Sequence, residues 1–309
     1  MVRNIHIAVL DVDIPARRLY EARGLCSAHF RDILRETAAH LNKTSPALND
    51  PINITVTPYD IRGGHYPDFH LMRNHPSQQQ TPVTNPIDAI LITGGSPGVY
   101  EMAHSPWMQV LEKFIQTIYH DHPQVRIMGT CFGHQLISHA LVRVPDDPAR
   151  NVYVEKCPLG REVGIYTVQL EPAFQQRFPT ALGHLPEGQL RIQMFHGDRV
   201  MAVEKGETVS LSESPPVSLP APWINVGSTP ICPIQGLYHP GRVLTVQGHY
   251  EVDAFGMKKM CVESAPVMGW KESKLAVFLE QVGPDVKDRR DDAKAFASAV
   301  VCFLAGLEQ

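Results

Sequence analysis

The chain has no apolar run near the roughly 18 residues needed to cross a bilayer, so a membrane span is not expected. Its opening stretch, MVRNIHIAVLDVD, has a short apolar run interrupted by His6 and followed by Asp11 and Asp13, which is the wrong form for a secretory signal. There is no Cys-x-x-Cys. Six cysteines, at 26, 131, 157, 232, 261 and 302, are scattered over 309 residues. Without a secretory signal they are expected to be reduced thiols in the cytosol. There is no block of Lys or Arg, and the net charge is −4, so neither nucleic acid nor an anionic membrane is an expected partner. Fifteen histidines raise the question of metal, yet there is no H-E-x-x-H and no paired Cys/His spacing. The densest cluster, HYPDFH (65–70), is explained by a Pro-rich loop. A P-loop, a G-x-G-x-x-G turn, an ATP-binding synthetase segment and internal repeats are all lacking. No metal or organic cofactor is therefore expected.

What is present is an ordinary globular composition, 43% apolar and 19% charged. IHIAVLDVD (5–13), IDAILITGG (87–95) and VRIMG (125–129) are continuous apolar runs of the kind buried on both faces of a parallel sheet, and INITVTPYD (52–60) is a further, alternating strand. Between them, 15–41 carries Leu19, Phe30, Ile33, Leu34 and Leu41 at helical spacing, with a break expected at Gly24. In 105–121, Trp107, Val110, Leu111, Phe114 and Ile118 predict a helix with Ser105 as N-cap and Pro106 in the first turn. Strand–helix alternation of this kind predicts an α/β fold, a three-layer, mostly parallel sheet with helices on both faces. The second half adds smaller strand candidates at 162–170, 190–195 and 242–248, and a closing helix bearing Phe296, Val300, Phe303, Leu304 and Leu307. No domain boundary is visible, so a single domain over 1–309 is expected, with loop insertions at about 61–86 and 204–233 and a helical extension at about 270–309.

GTCFGHQ (129–135) has the form G-x-C-x-G directly after a strand and before a helix. Glycines two positions before and after the cysteine let the chain turn sharply without Cβ clashes, leaving Cys131 at the turn in a strained conformation. Backbone N–H groups at a helix start favour negative charge and offer donors to an oxyanion. By itself the pattern also fits a buried cysteine in a strand–helix turn. The Gly-Gly turn after the neighbouring strand adds a second donor: the N–H of Gly95 is paired with that of Phe132 as a candidate oxyanion hole. TVQGHYE (245–251) then supplies a base and an orienter. In an extended segment residues i and i+2 share a face, so Glu251 is placed to bond one ring nitrogen of His249 while the other faces Cys131.

Taken in order, ILITGGSPGVYE, GTCFGHQL, EVGIYTVQL, HGDRV and VLTVQGHYE resemble the landmarks of class I glutamine amidotransferases, over residues 5 to about 255. Within that family they look most like the free-standing fungal and plant proteins related to the glutaminase domain of GMP synthase. The resemblance implies the flavodoxin-like class I glutamine amidotransferase fold, a Cys131–His249–Glu251 triad and oxyanion donors at Gly95 and Phe132. It further implies that Gln135 helps hold the α-amino-acid end of the substrate. HGDRV matches a segment lining the glutamyl pocket, which makes His196, Gly197 and Asp198 candidate binding residues, though a polar turn explains them equally well.

Three departures stand out. His-Pro-Glu in the family is His249-Tyr250-Glu251 here, which removes a stiffening proline and puts a phenol beside the base, so Tyr250 is a further candidate contact to substrate. His134 is a mild change. The insertions and the C-terminal extension exceed a minimal glutaminase domain. The expected activity is hydrolysis of glutamine or a γ-glutamyl compound through a thioester, with ammonia either released or passed to a separate synthetase or acceptor protein. Two alternatives stay open: the same Cys-His-Glu chemistry on a bulky amide, ester or thioester in a specialised biosynthetic pathway, and a non-catalytic binding or regulatory module retaining the fold.

Overall fold

The computed structural model describes residues 2–45, 50–75, 85–142, 151–203, 219–284 and 291–309. Parts of three sequence expectations lie outside them: 76–84 of the first insertion, 204–218 of the second, and 285–290 of the extension.

The N-terminal apolar run forms β1 (Arg3–Asp11), buried along its length after the first two residues. Its alternation serves two cores. Ile5, Ile7 and Val9 face one hydrophobic cluster, while Ala8 and Leu10 face the other, as the period of two requires. Gly24, at φ 79°, separates α1 (Arg17–Arg23) from α2 (Cys26–Thr44). β2 (Ile52–Asp60) pairs with β1 in parallel and lies at the sheet edge, where Pro58 is tolerated. The chain continues through β3 (Ala89–Ile92), α3 (Pro106–Asp121), β4 (Arg126–Thr130) and α4 (Phe132–Leu141).

In the second half come β5 (Asn151–Lys156), β6 (Glu162–Leu170), the short α5 (Pro172–Gln175) and α6 (Pro179–Leu182), β7 (Gln189–His196) and β8 (Asp198–Val203). β9 (Ile224–Asn225), β10 (Gly227–Ser228), β11 (Leu237–His239) and β12 (Val243–Val246) follow, then α7 (Ala254–Val267), α8 (Glu272–Val282) and α9 (Ala293–Ala305). The main sheet has the order β2-β1-β3-β4-β12-β11-β9. Its first five strands run parallel, and β11 is antiparallel to both neighbours. Two small antiparallel sheets, β10-β6-β7 and β5-β8, stand beside it. α2 and α9 cover one face, joined through Phe30, Leu34, Phe296 and Val300. α3 and α4 cover the other, through Met108, Leu111, Leu136 and Ile137. This is the three-layer α/β arrangement expected, its sheet mostly parallel.

Local details differ from the sequence reading. In α3 it is Met108 and Ile115 that are buried, while Val110 is 52% exposed. Ser105 precedes α3 but its side chain makes no capping bond; Pro106 stands at the first helical position, where its fixed φ suits a helix start. β5, β8 and α7 carry no strong periodic signal and have no counterpart in the sequence reading, while α8 falls within the stretch expected as a helical extension, about 270–309.

Register brings the carboxyl ends of three strands together. Ile92 pairs with Gly129, and Thr130 with Val246. The segments after β3, β4 and β12 therefore meet at one sheet edge, the usual ligand position in open α/β sheets. The elbow glycines make this approach possible. A Cβ on Gly129 would lie 2.5 Å from the carbonyl carbon of Gly133, and one on Gly133 would lie 2.3 Å from the carbonyl oxygen of Ile92. Gly133→Ala is therefore expected to cost about 1–3 kcal/mol, typical of overpacking, read as a lower urea midpoint. An unchanged midpoint would show that α4 does not sit this tightly on β3.

Candidate active site

Cys131 occupies the turn between β4 and α4 at φ 49°, ψ −108°, a conformation disfavoured for any residue with a Cβ. It is held there from both sides. Its N–H donates to Val246 O at 2.9 Å, and its carbonyl accepts from the N–H of Gln135 at 3.1 Å. The thiol is thereby presented at the first turn of α4, where Phe132 N–H has no partner within the helix.

His249 is anchored by its backbone, its N–H donating to Gln193 O of β7 at 2.8 Å. Its Nδ1 lies 2.7 Å from Glu251 Oε1, and both side chains are buried. Burial by itself would lower the pKa of this imidazole. The Glu251 carboxylate and the Cys131 thiol outweigh it and raise the pKa from 6.5 to about 10. The remaining nitrogen, Nε2, is buried and has no partner at full hydrogen-bond geometry, as is common in ligand-free sites. Gly94 lies against both reactive residues: a Cβ on it would stand 3.1 Å from His249 Cε1 and 3.5 Å from Cys131 Cβ. Gly95 must also be glycine, since its Cβ would meet Val12 Cγ1 at 2.5 Å.

These residues open into a cleft of about 430 Å³ whose lining includes Gly95, Cys131, Gln135, His249 and Glu251. Gln135 is fixed by donating to Gln247 Oε1 at 3.0 Å and, at 3.4 Å, to the carbonyl of Asp198. His196, Gly197 and Asp198 line the same cleft. The His196 Nδ1–H donates to Asp198 O at 2.9 Å, and Nε2 lies 2.9 Å from Glu162 Oε2. Glu162 is itself 1% exposed and accepts from Gln235 Nε2 at 2.8 Å. Burial raises the pKa of Asp198, against the pull of Arg161 and Lys156. Phe132 contributes backbone only; its ring is buried beside Trp107, with centroids 5.7 Å apart. His134 is buried too, driven down to about 3 by that burial, and bonds Thr245 Oγ1 at 2.8 Å.

Tyr250 corrects the sequence expectation. It is fully buried and packs into the core against Phe30 and Phe296, centroids 5.6 and 5.5 Å away. The physical reason is the bend that follows β12: with His249 and Glu251 turned into the cleft, the apolar ring between them is turned to the core side, under α2 and α9. Tyr250 is thus a core residue under α2 and α9 rather than a substrate contact. Sequence reasoning missed Arg161 and Glu162, which adjoin each other at the start of β6, and the α7 residues that wall the cleft. The Arg-Glu pair next to a strand was the available signal. Among the described residues, no group of three or more His, Cys, Asp or Glu side chains is placed to hold a metal ion, and no helix is long and apolar enough to cross a membrane.

Comparison with known proteins gives a consistent picture. No protein-family model matches the chain. A glutamine amidotransferase-like protein of Schizosaccharomyces pombe is 26% identical over 248 residues, covering 80% of this chain and 79% of its own. A Saccharomyces cerevisiae protein, provisionally assigned as a glutamine amidotransferase, is 27% identical over 64% of this chain and 66% of its own. Among solved structures, a glutamine amidotransferase of Thermotoga maritima superposes with TM-score 0.61 at 16% identity, over 97% of this chain and 98% of its own. One from Methylobacillus flagellatus gives 0.55 at 14% identity, over 100% and 96%. The fold is that of class I glutamine amidotransferase-like structures, and the chain is related to that group at the level of fold.

Two expectations follow. The raised pKa keeps His249 protonated through neutral pH, so the charged pair stabilises the fold fully below pH 6.5, and that contribution is lost as pH climbs toward about 10. In Glu251→Gln the NMR titration midpoint of His249 should drop by a unit or more; an unmoved midpoint would show that Glu251 does not set it. Tyr250→Ala should cost about 3–5 kcal/mol of stability, as for other large core truncations. Tyr250→Phe should leave KM for any substrate within twofold, and a large rise in KM would return the phenol to the substrate site.

Proposed function

We propose that the protein is a cysteine-nucleophile amide hydrolase of the glutamine amidotransferase type, acting on glutamine or a γ-glutamyl compound. We place it among the free-standing proteins of that group. One observation carries the reading: a cysteine in a positive-φ elbow lines the same cleft as a buried pair in which His249 Nδ1 lies 2.7 Å from Glu251 Oε1. The fold-level relationship and the names of the two yeast relatives support it.

In this mechanism the Cys131 thiolate attacks the γ-carbonyl. The N–H groups of Gly95 and Phe132 receive the developing oxyanion, a contribution of about 2.7–4 kcal/mol for a single such donor. His249, as imidazolium, protonates the leaving nitrogen and then deprotonates the water that hydrolyses the thioester. Glu251 fixes the imidazole's tautomer and stabilises its charge. Gln135 and the segment His196–Gly197–Asp198 receive the amino-acid end of the substrate. Where ammonia is transferred rather than released, this reading assigns the acceptor site to a separate synthetase or acceptor protein.

Replacing Cys131 by Ala should lower hydrolysis at least a thousandfold. Rapid-quench mass spectrometry should find a glutamyl group on the wild-type protein and none on Cys131→Ala. A Cys131→Ala protein with full activity would refute the mechanism. An unreactive wild-type thiol, with no turnover of any acyl compound, would instead favour a binding module that keeps the fold.

A further inference from the structure

The lining of the cleft divides by element. On one side stand the polar residues Gln135, Arg161, His196 and Asp198, with Phe195 beside them. On the other, the segment entering α1 and the outer half of α7 supply Ile14, Leu19, Met260, Val267 and Met268. The two elements are tied together there. Arg18 N–H donates to Glu263 at 2.9 Å, and Arg23 forms a two-pronged pair with Asp253 at 2.8 Å. Ile14 is 69% exposed, Val267 88% and Met268 37%. Singly such residues are ordinary on a protein surface, but here all three ring one cleft.

The hydrolase reading sets the amino-acid end of the substrate against Gln135 and the segment 196–198. The α1–α7 side is then the part of the lining left for the leaving group. The acids on that wall are already engaged. Asp13 accepts from Ser96 Oγ at 2.6 Å and lies 3.5 Å from Arg62, and Glu263 is held by Arg18. The volume, about 430 Å³, is within the range of sites that bury drug-sized ligands, roughly 300–1,000 Å³.

We propose that the α1–α7 side of the cleft is a leaving-group pocket for a bulky apolar substituent, making the preferred substrate an N-substituted γ-glutamyl amide rather than glutamine. The proposal rests on the hydrolase reading above. In the first step the Cys131 Sγ–C bond forms, the C–N bond breaks, and the proton on His249 goes to the departing apolar amine. Water then cleaves the thioester, so γ-glutamyl amide and water give glutamate and the free amine.

The test compares kcat/KM for L-glutamine, γ-glutamylglycine and γ-glutamyl-phenethylamide on the full chain. The phenethylamide should lead both others by tenfold or more. Val267→Asp, a change at an exposed position, should cut that lead at least threefold, and Met260→Ser should act in the same direction. Glutamine or γ-glutamylglycine turned over as fast as the phenethylamide would overturn this inference alone and leave the hydrolase reading standing. So would a lead that Val267→Asp and Met260→Ser both leave unchanged. Failure of all three substrates, with no acyl group trapped on Cys131, would overturn both readings together.

Discussion

The contact on which the site depends is the seating of the first turn of α4 against the end of β3. Gly133 lies so close to the carbonyl of Ile92 that no side chain fits between them, and Gly129 lies as tightly against the carbonyl of Gly133. This approach forces the chain through a positive φ at Cys131. A non-glycine residue held there costs on the order of 1–3 kcal/mol. The cost is offset by the two cores on either face of the sheet, which fix β3, β4 and β12 in register and leave the turn no room to relax. The thiol is thus exposed to the cleft as a consequence of packing, before any electrostatics are considered.

The second constraint is electrostatic. A buried imidazole alone would shed its proton, as His134 and His29 show: burial lowers both. His249 is driven the opposite way because Glu251 and the Cys131 thiol share its surroundings. Taking such a pair out of water is costly, and its retention is better explained by the chemistry it permits than by stability. Geometry is enforced by neighbours. Gln193 O holds the backbone of His249, and Tyr250, driven into the core between Phe30 and Phe296, pins the bend after β12 from behind. The residue that interrupts the His-Glu pair in sequence therefore steadies the segment that carries it.

How much of this is legible in the sequence follows from the range of the interactions involved. The parallel strands declare themselves as apolar runs because burial on both faces removes alternation. The elbow is legible because its glycines answer a purely local steric demand. The His249–Glu251 pairing is legible because the two residues are only two apart; that Tyr250 between them turns into the core is a step that a comparison with His-Pro-Glu obscures. Arg161, Glu162 and the α7 wall are another matter. Glu162 meets His196 only through the antiparallel register of β6 and β7, and Met260 and Val267 reach the cleft only because α7 packs beside α1. Nothing in the periodicity of either segment announces those long-range contacts.

That division has a consequence for how the site is built. The elbow, the oxyanion donors and the His249–Glu251 pair hang on the main sheet and its two large cores. The wall opposite them rests on a separate small cluster, Val163, Val252, Met257, Cys261, Phe278 and Val282, with Phe195 and Met260 packed against it. Interactions inside one cluster transmit strain far better than interactions between clusters. Side chains on the wall can therefore change in size or polarity with little effect on the position of Cys131, whereas a methyl group added at Gly133 acts on it directly. On the proposed reading, bond cleavage is fixed by the sheet edge and substrate choice by the α1–α7 wall, and the two are joined where the chain runs from Glu251 into the N-cap of α7 and where Asp13 accepts from Ser96.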